Sequence, residues 1–209
     1  SYLKCLCNGL KRLMKKNKIF VACDSNNIQK VKEIIQKTQN SKLKIGYKFG
    51  LEFLNSKNGR KFISKLKNKI IFGDYKLADI PNTCVSTIKA VSDLKFNYLT
   101  IHISSGLNAL KAAKKVSGKT KLIGVTILTS LDNKSLKEIG YNKAVKSVVI
   151  KQAKLANKAK LDAIVCSPME VNLVKKVFKK EIITPGIRFN SKAGDQKRTL
   201  TPKQAYKNG

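Results

Sequence analysis

Residues 69–83 read KIIFGDYKLADIPNT. Ile70, Ile71 and Phe72 predict a buried strand, yet the chain then places Asp74, Lys76 and Asp79 within a few residues and closes on Ile80-Pro81-Asn82-Thr83. Side chains alternate along a strand, so Asp74 and Lys76 are expected to share a face. If that face is interior, the cost of removing both charges from water must be offset by partners or by function. The segment that follows, VSTIKAVSDLK, sets Val85, Ile88 and Val91 at helical spacing. The fold therefore turns on whether this strand-to-helix pattern repeats.

It does. Strand-like runs fall at Lys18 to Asp24, Lys44 to Gly50, Lys69 to Lys76, Tyr98 to Ile103, Lys121 to Leu128, Ala163 to Ser167 and Glu181 to Arg188. Amphipathic stretches lie between them, such as NIQKVKEIIQK, where Ile28, Val31, Ile34 and Ile35 recur with lysines opposite. Asp24-Ser25 and Ser167-Pro168 offer cap-like transitions from strand to helix. Strand and helix in alternation predict an α/β protein with a parallel sheet, open or closed into a (β/α)8 TIM barrel. No GxGxxG and no GxxxxGK[ST] is present, so nothing specific supports a nucleotide-binding open sheet. Chemistry instead gathers at strand C-terminal ends, at Asp24, Lys48, Asp74, Lys76, Asp79, Thr129 and Arg188, which is where a barrel collects its active site. A barrel needs eight strands, and after the seventh run come only FNSKAGDQKRTLTPKQAYKNG. The expectation is an incomplete barrel of about seven βα units, truncated before its last strand and helix, with exposed edges on the first and seventh strands.

With 209 residues, 42% hydrophobic and 7% aromatic, the chain is expected to form one folded domain over 14–209. Residues 1–13 read as an irregular extension, because Met14 opens MKKNKIFVACD directly before the first strand. Forty-four Lys and Arg against 12 Asp and Glu give a net charge of +32, a field that attracts phosphates and nucleic acid alike. Only Arg12, Arg60, Arg188 and Arg198 are arginines, whereas base readout and phosphate forks favour Arg. The scattered lysines read chiefly as solvated helix faces, without a specific nucleic-acid partner. Five cysteines without a CxxC pair suggest a reducing cytoplasm rather than a disulfide frame or a zinc site, and Cys23 and Cys166 read as small core hydrophobes. The lone His102, in LTIHISS, reads as a core imidazole at a strand end, with no ligand cluster to support a metal. No run approaches the roughly 20 apolar residues of a membrane span, so no membrane partner is expected.

DYKLADIPNT is similar to DxKxxDIPNT, the signature of the orotidine 5'-monophosphate decarboxylase family in its bacterial form. Supporting matches run in order from about residue 18 to 209: VACD, YKFG, VTILTS, VCSPMEV, TPGIR, GDQKR and LTP. Ala78 stands where many bacterial members carry His, and Ser105 replaces a glycine common in HxSGG. The family's last strand carries a phosphate-gripping Arg that has no counterpart here. The resemblance implies a homodimeric, cytoplasmic, cofactor-free and metal-free enzyme of pyrimidine biosynthesis that converts orotidine monophosphate to uridine monophosphate. It implies Lys48, Asp74, Lys76 and Asp79 as the catalytic charge network, with Lys76 as proton donor and Asp79 and Thr83 reaching the neighbouring subunit's site. It also implies Asp24 and Lys48 at the ribose, Thr129 beside base and ribose, and Arg188 and Gln196 at the phosphate.

The physics supports these roles on its own terms. Loss of CO2 leaves a pyrimidine carbanion with little ring stabilisation, so positive charge and a proton donor are needed where that charge develops. A carboxylate beside the substrate's own would repel it by about 4 kcal/mol at about 4 Å and an effective dielectric of about 20. That repulsion vanishes as CO2 departs. Two alternatives stay open: a magnesium-dependent phosphosugar decarboxylase or aldolase of the same barrel superfamily, which shares DxKxxD, and a basic nucleic-acid-binding protein resting on net charge alone.

Overall fold

The computed structural model describes residues 17–185 together with 187, 201, 204, 205 and 208. Among these, seven strands form one sheet in chain order, every neighbouring pair parallel: β1 Lys18–Ala22, β2 Lys44–Phe49, β3 Ile70–Leu77, β4 Tyr98–His102, β5 Lys121–Val125, β6 Ala163–Val165 and β7 Glu181–Ile183. The connections carry helices α1 Ile28–Thr38, α2 Leu51–Leu54, α3 Gly59–Lys65, α4 Pro81–Ala90, α5 Leu107–Val116, α6 Asn133–Glu138, α7 Val145–Lys158 and α8 Val171–Val177. Strand order equal to chain order, with a helix in each crossover, is the curling arrangement of a (β/α) barrel rather than of a doubly wound sheet. The predicted strands all occur, and several stop short of the sequence reading because their terminal polar residues already belong to the loops: Asp24 lies past β1 and Ser167 past β6.

Burial separates the two faces of the sheet. Tyr47, Phe49, Ile71, Leu99, Ile101, Leu122 and Ile164 join a large core with the inward residues of the helices, among them Val31, Ile35, Ile88, Leu110 and Val149. The other parity fills the concave side. Phe72, Tyr98, Ile123 and Ala163 cluster there with Phe20, Ile70, Val165 and Ile183. Phe20 is the hub, meeting Phe72 and Tyr98 edge-on at 5.1 and 5.2 Å. Each large apolar side chain buried in these clusters contributes about 1.5–3 kcal/mol, so this aromatic layer is a rigid base for whatever stands on it.

Local chemistry fixes the helices that frame the mouth. Asn27 caps α1, its Oδ1 accepting from the backbone N–H of Gln29 at 2.9 Å and Lys30 at 3.2 Å. Pro81 opens α4 in the first turn, where its missing N–H costs nothing. Beneath the aromatic layer, at the strand N-terminal ends, Lys18 and Tyr98 converge on Glu181. Lys18 Nζ lies 3.0 Å and Tyr98 Oη 2.9 Å from Glu181 Oε1, Lys18 also bonds the Tyr98 hydroxyl, and Lys121 reaches Oε2 at 3.5 Å. These side chains tie β1 to β7, the first and last strands of the sheet among the described residues.

Candidate active site

Above the aromatic layer the strand C-terminal ends carry the charges that the sequence singles out. Lys48 projects from β2 and Asp74 from β3, on the same concave parity as Phe72. Asp74 is 7% exposed, and its Oδ2 accepts from Lys76 Nζ at 2.6 Å and from Lys48 Nζ at 3.4 Å. Lys48 Nζ also lies 3.5 Å from Asp24 Oδ1, an outer contact on a mostly exposed carboxylate that contributes little energy. One buried carboxylate therefore sits between two ammoniums at the mouth of the barrel.

Asp74 and Lys76 do not share a face by simple alternation. Gly73 is paired with Leu99 and Leu77 with Ile101, so Asp74, Tyr75 and Lys76 stand opposite the single residue Thr100. The strand bulges there, and Lys76 takes a left-handed backbone conformation at φ 48°. Bulges of this kind re-aim side chains beside functional sites. Thr100, fully buried on β4, spans the irregularity: its hydroxyl donates to Asp74 Oδ1 at 2.9 Å and accepts from the Lys76 backbone N–H at 2.8 Å. Sequence reasoning overlooks Thr100, because a threonine inside YLTIH reads as ordinary strand composition. The available signal is parity, since it shares its face with Tyr98 and His102.

Electrostatics follows from this packing. Burial alone would push the Asp74 carboxyl up, but the Lys76 and Lys48 ammoniums and the bonds from Lys76 and Thr100 outweigh it and hold it below the ordinary carboxylate range. His102, half-buried at the end of β4, is pushed down by burial and then by the Lys76 charge, only partly countered by Asp74, so it stays neutral near pH 7. The Cys23 thiol is pushed up to about 12 by burial and by Asp24, which leaves it a core hydrophobe.

Other expected residues lie elsewhere. Asp79 is exposed beyond β3, with Oδ1 accepting from the Ile80 backbone N–H at 2.7 Å, and it joins none of the ion pairs among the described residues. Thr83 is exposed on α4, and Thr129 is half-buried in the loop after β5. Arg188 and Gln196 fall outside the described residues. Among the described residues no three His, Cys, Asp or Glu side chains gather as a metal site would require.

Residues 17–209 match the family described as Orotidine 5'-phosphate decarboxylase / HUMPS family. The chain belongs to this family. The orotidine 5'-phosphate decarboxylase of Wolbachia pipientis subsp. Culex pipiens is 44% identical over 200 residues, covering 92% of this chain and 87% of the relative. That of Prochlorococcus marinus is 38% identical over 214 residues, 95% of this chain and 87% of the relative. Among solved structures, Orotidine 5'-phosphate decarboxylase from Lactobacillus acidophilus aligns at TM-score 0.70 and 26% identity, covering 91% of this chain and 96% of that one. The Methanocaldococcus jannaschii decarboxylase complexed with inhibitor BMP aligns at 0.69 and 25%, covering 82% and 78%. The barrel expected from the strand pattern is thus the barrel of the decarboxylase family, present among the described residues as seven parallel strands.

Proposed function

We propose that this chain removes CO2 from orotidine 5'-monophosphate to give uridine 5'-monophosphate, using protein side chains alone. The reading is supported most by one observation, the Asp74 carboxylate held between Lys76 and Lys48 at the barrel mouth. The substrate's carboxylate would meet Asp74 at the cost of charge repulsion, which binding of the remote phosphate offsets. As the bond between C6 and the carboxylate breaks, its electron pair stays on C6 and CO2 leaves. Lys76 stabilises that developing charge and transfers one ammonium proton to C6. Lys48 and Asp24 hold ribose hydroxyls, Thr129 borders the base, and Arg188 and Gln196 bind the phosphate.

Asp79 and Thr83 serve the neighbouring copy's site in a homodimer. Their exposure at one edge of the mouth supports this, and so does Ile80 between them, which is 65% exposed. An apolar side chain so exposed beside a carboxylate fits a surface that is covered on association.

The metal-dependent phosphosugar reading makes a different prediction for the same assay. Release of CO2 from orotidine monophosphate should persist in excess EDTA. Activity that vanishes on chelation and returns with magnesium would favour the alternative.

A further inference from the structure

The bulge in β3 creates a problem that backbone alone does not solve. A ladder interrupted between Gly73 and Leu77 leaves the Lys76 N–H without a strand partner, at a residue already held in the left-handed region. The Asp74 carboxylate, meanwhile, can work only if its two oxygens are assigned: Oδ2 already takes both ammoniums. Thr100 Oγ1 meets both needs at once. Its single proton goes to Asp74 Oδ1 at 2.9 Å, and a lone pair accepts the Lys76 N–H at 2.8 Å. Thr100 is 0% exposed and Asp74 7%, so both bonds lie in a largely buried setting.

We propose that Thr100 is a positioning residue for decarboxylation: its hydroxyl fixes the rotation of the Asp74 carboxylate and the backbone that aims Lys76 at the reacting carbon. The inference rests on the function proposed above. It separates the work of the site into two parts. Lys76 and Asp74 act on the substrate, whereas Thr100 acts through them without touching it. Loss of the hydroxyl frees the carboxylate to turn and leaves the lysine's strained backbone without its anchor.

The test compares wild type with Thr100→Val, nearly the same shape without the hydroxyl, and Thr100→Ser, the hydroxyl without the methyl, in the full chain with orotidine monophosphate. Thr100→Val should lower kcat by about 10- to 100-fold, the range expected when a reacting group is misplaced by about an ångström, with KM changed by less than about threefold. Its acid limb in kcat/KM should move to higher pH, since Asp74 loses a donor to its charged form. Thr100→Ser should stay near wild type in both readouts. A Thr100→Val chain with wild-type kcat, or a Thr100→Ser chain as impaired as Thr100→Val, would overturn the proposal. If Thr100→Val shows no cooperative melt, Thr100→Cys, a weak donor of similar shape, replaces it: kcat well below that of Thr100→Ser supports the role, and equal kcat overturns it. A wild-type chain inert toward orotidine monophosphate would instead overturn the function itself, and the proposal with it.

Discussion

Asp74 shows how residue chemistry sets the behaviour of the site. Its depressed carboxyl means that the folded state holds fewer protons here than the unfolded chain. The stabilisation is therefore complete above its ordinary value of 3.8 and lost as pH falls through its lower folded value. Activity should follow the same sign, with an acid limb in kcat/KM below pH 3.8 in a stopped assay. Asp74→Asn should remove that limb and leave the Lys48 and Lys76 ammoniums facing each other, lowering kcat by about 100-fold or more; an unchanged pH profile would show that another group controls it. Much of this was legible in the sequence, because Asp74, Lys76, Lys48 and Asp24 are charges where apolar strands end. Thr100 was not, since a hydroxyl that serves two partners looks the same in sequence as one that serves none.

At the scale of elements, strand and helix identity came from composition and period, and both follow from burial on two faces. The bulge in β3 did not, because register is a property of two strands and Thr100 lies 26 positions from Asp74. The strict alternation that places Asp74 and Lys76 on one face ends where the backbone turns left-handed at Lys76. The cap-like transitions expected at Asp24-Ser25 and Ser167-Pro168 fall short of the helices, whose N-caps are Asn27 and Glu170 a few residues further on. Asn27 binds two orphan amides of α1, so Asn27→Ala should cost about 1 kcal/mol and lower Tm by about 2–4 °C. With the mouth untouched, kcat should hold; calorimetry and the decarboxylation assay check the two halves separately.

The whole molecule is stratified, with an ionic floor, an aromatic middle and a charged mouth. Lys18, Tyr98, Lys121 and Glu181 make the floor from strands far apart in sequence, which is why it could not be read in advance. Burial would raise the Glu181 carboxyl, but the bonds from Lys18 and Tyr98 and the charges of Lys18 and Lys121 hold it below its ordinary 4.5. Its contribution is thus present above pH 4.5 and lost as pH falls through the lower folded value. Glu181→Gln should cost about 1–2 kcal/mol in urea unfolding at pH 7 and reduce the acid sensitivity of stability. If Asp79 and Thr83 act across a dimer, Ile80→Asp should yield monomers by sedimentation together with at least about a tenfold loss of turnover. The net charge of +32 should give weak DNA binding at physiological salt that falls steeply with added salt, a field effect and not a sequence readout.

The most direct measurement is CO2 release from saturating orotidine monophosphate by the full chain carrying Lys76→Ala, beside wild type, with circular dichroism to confirm the fold. Turnover should fall by about a thousandfold or more while the fold persists, because the group proposed to stabilise and protonate C6 is gone. Turnover near wild type in a folded Lys76→Ala chain would contradict the role assigned to the charged mouth.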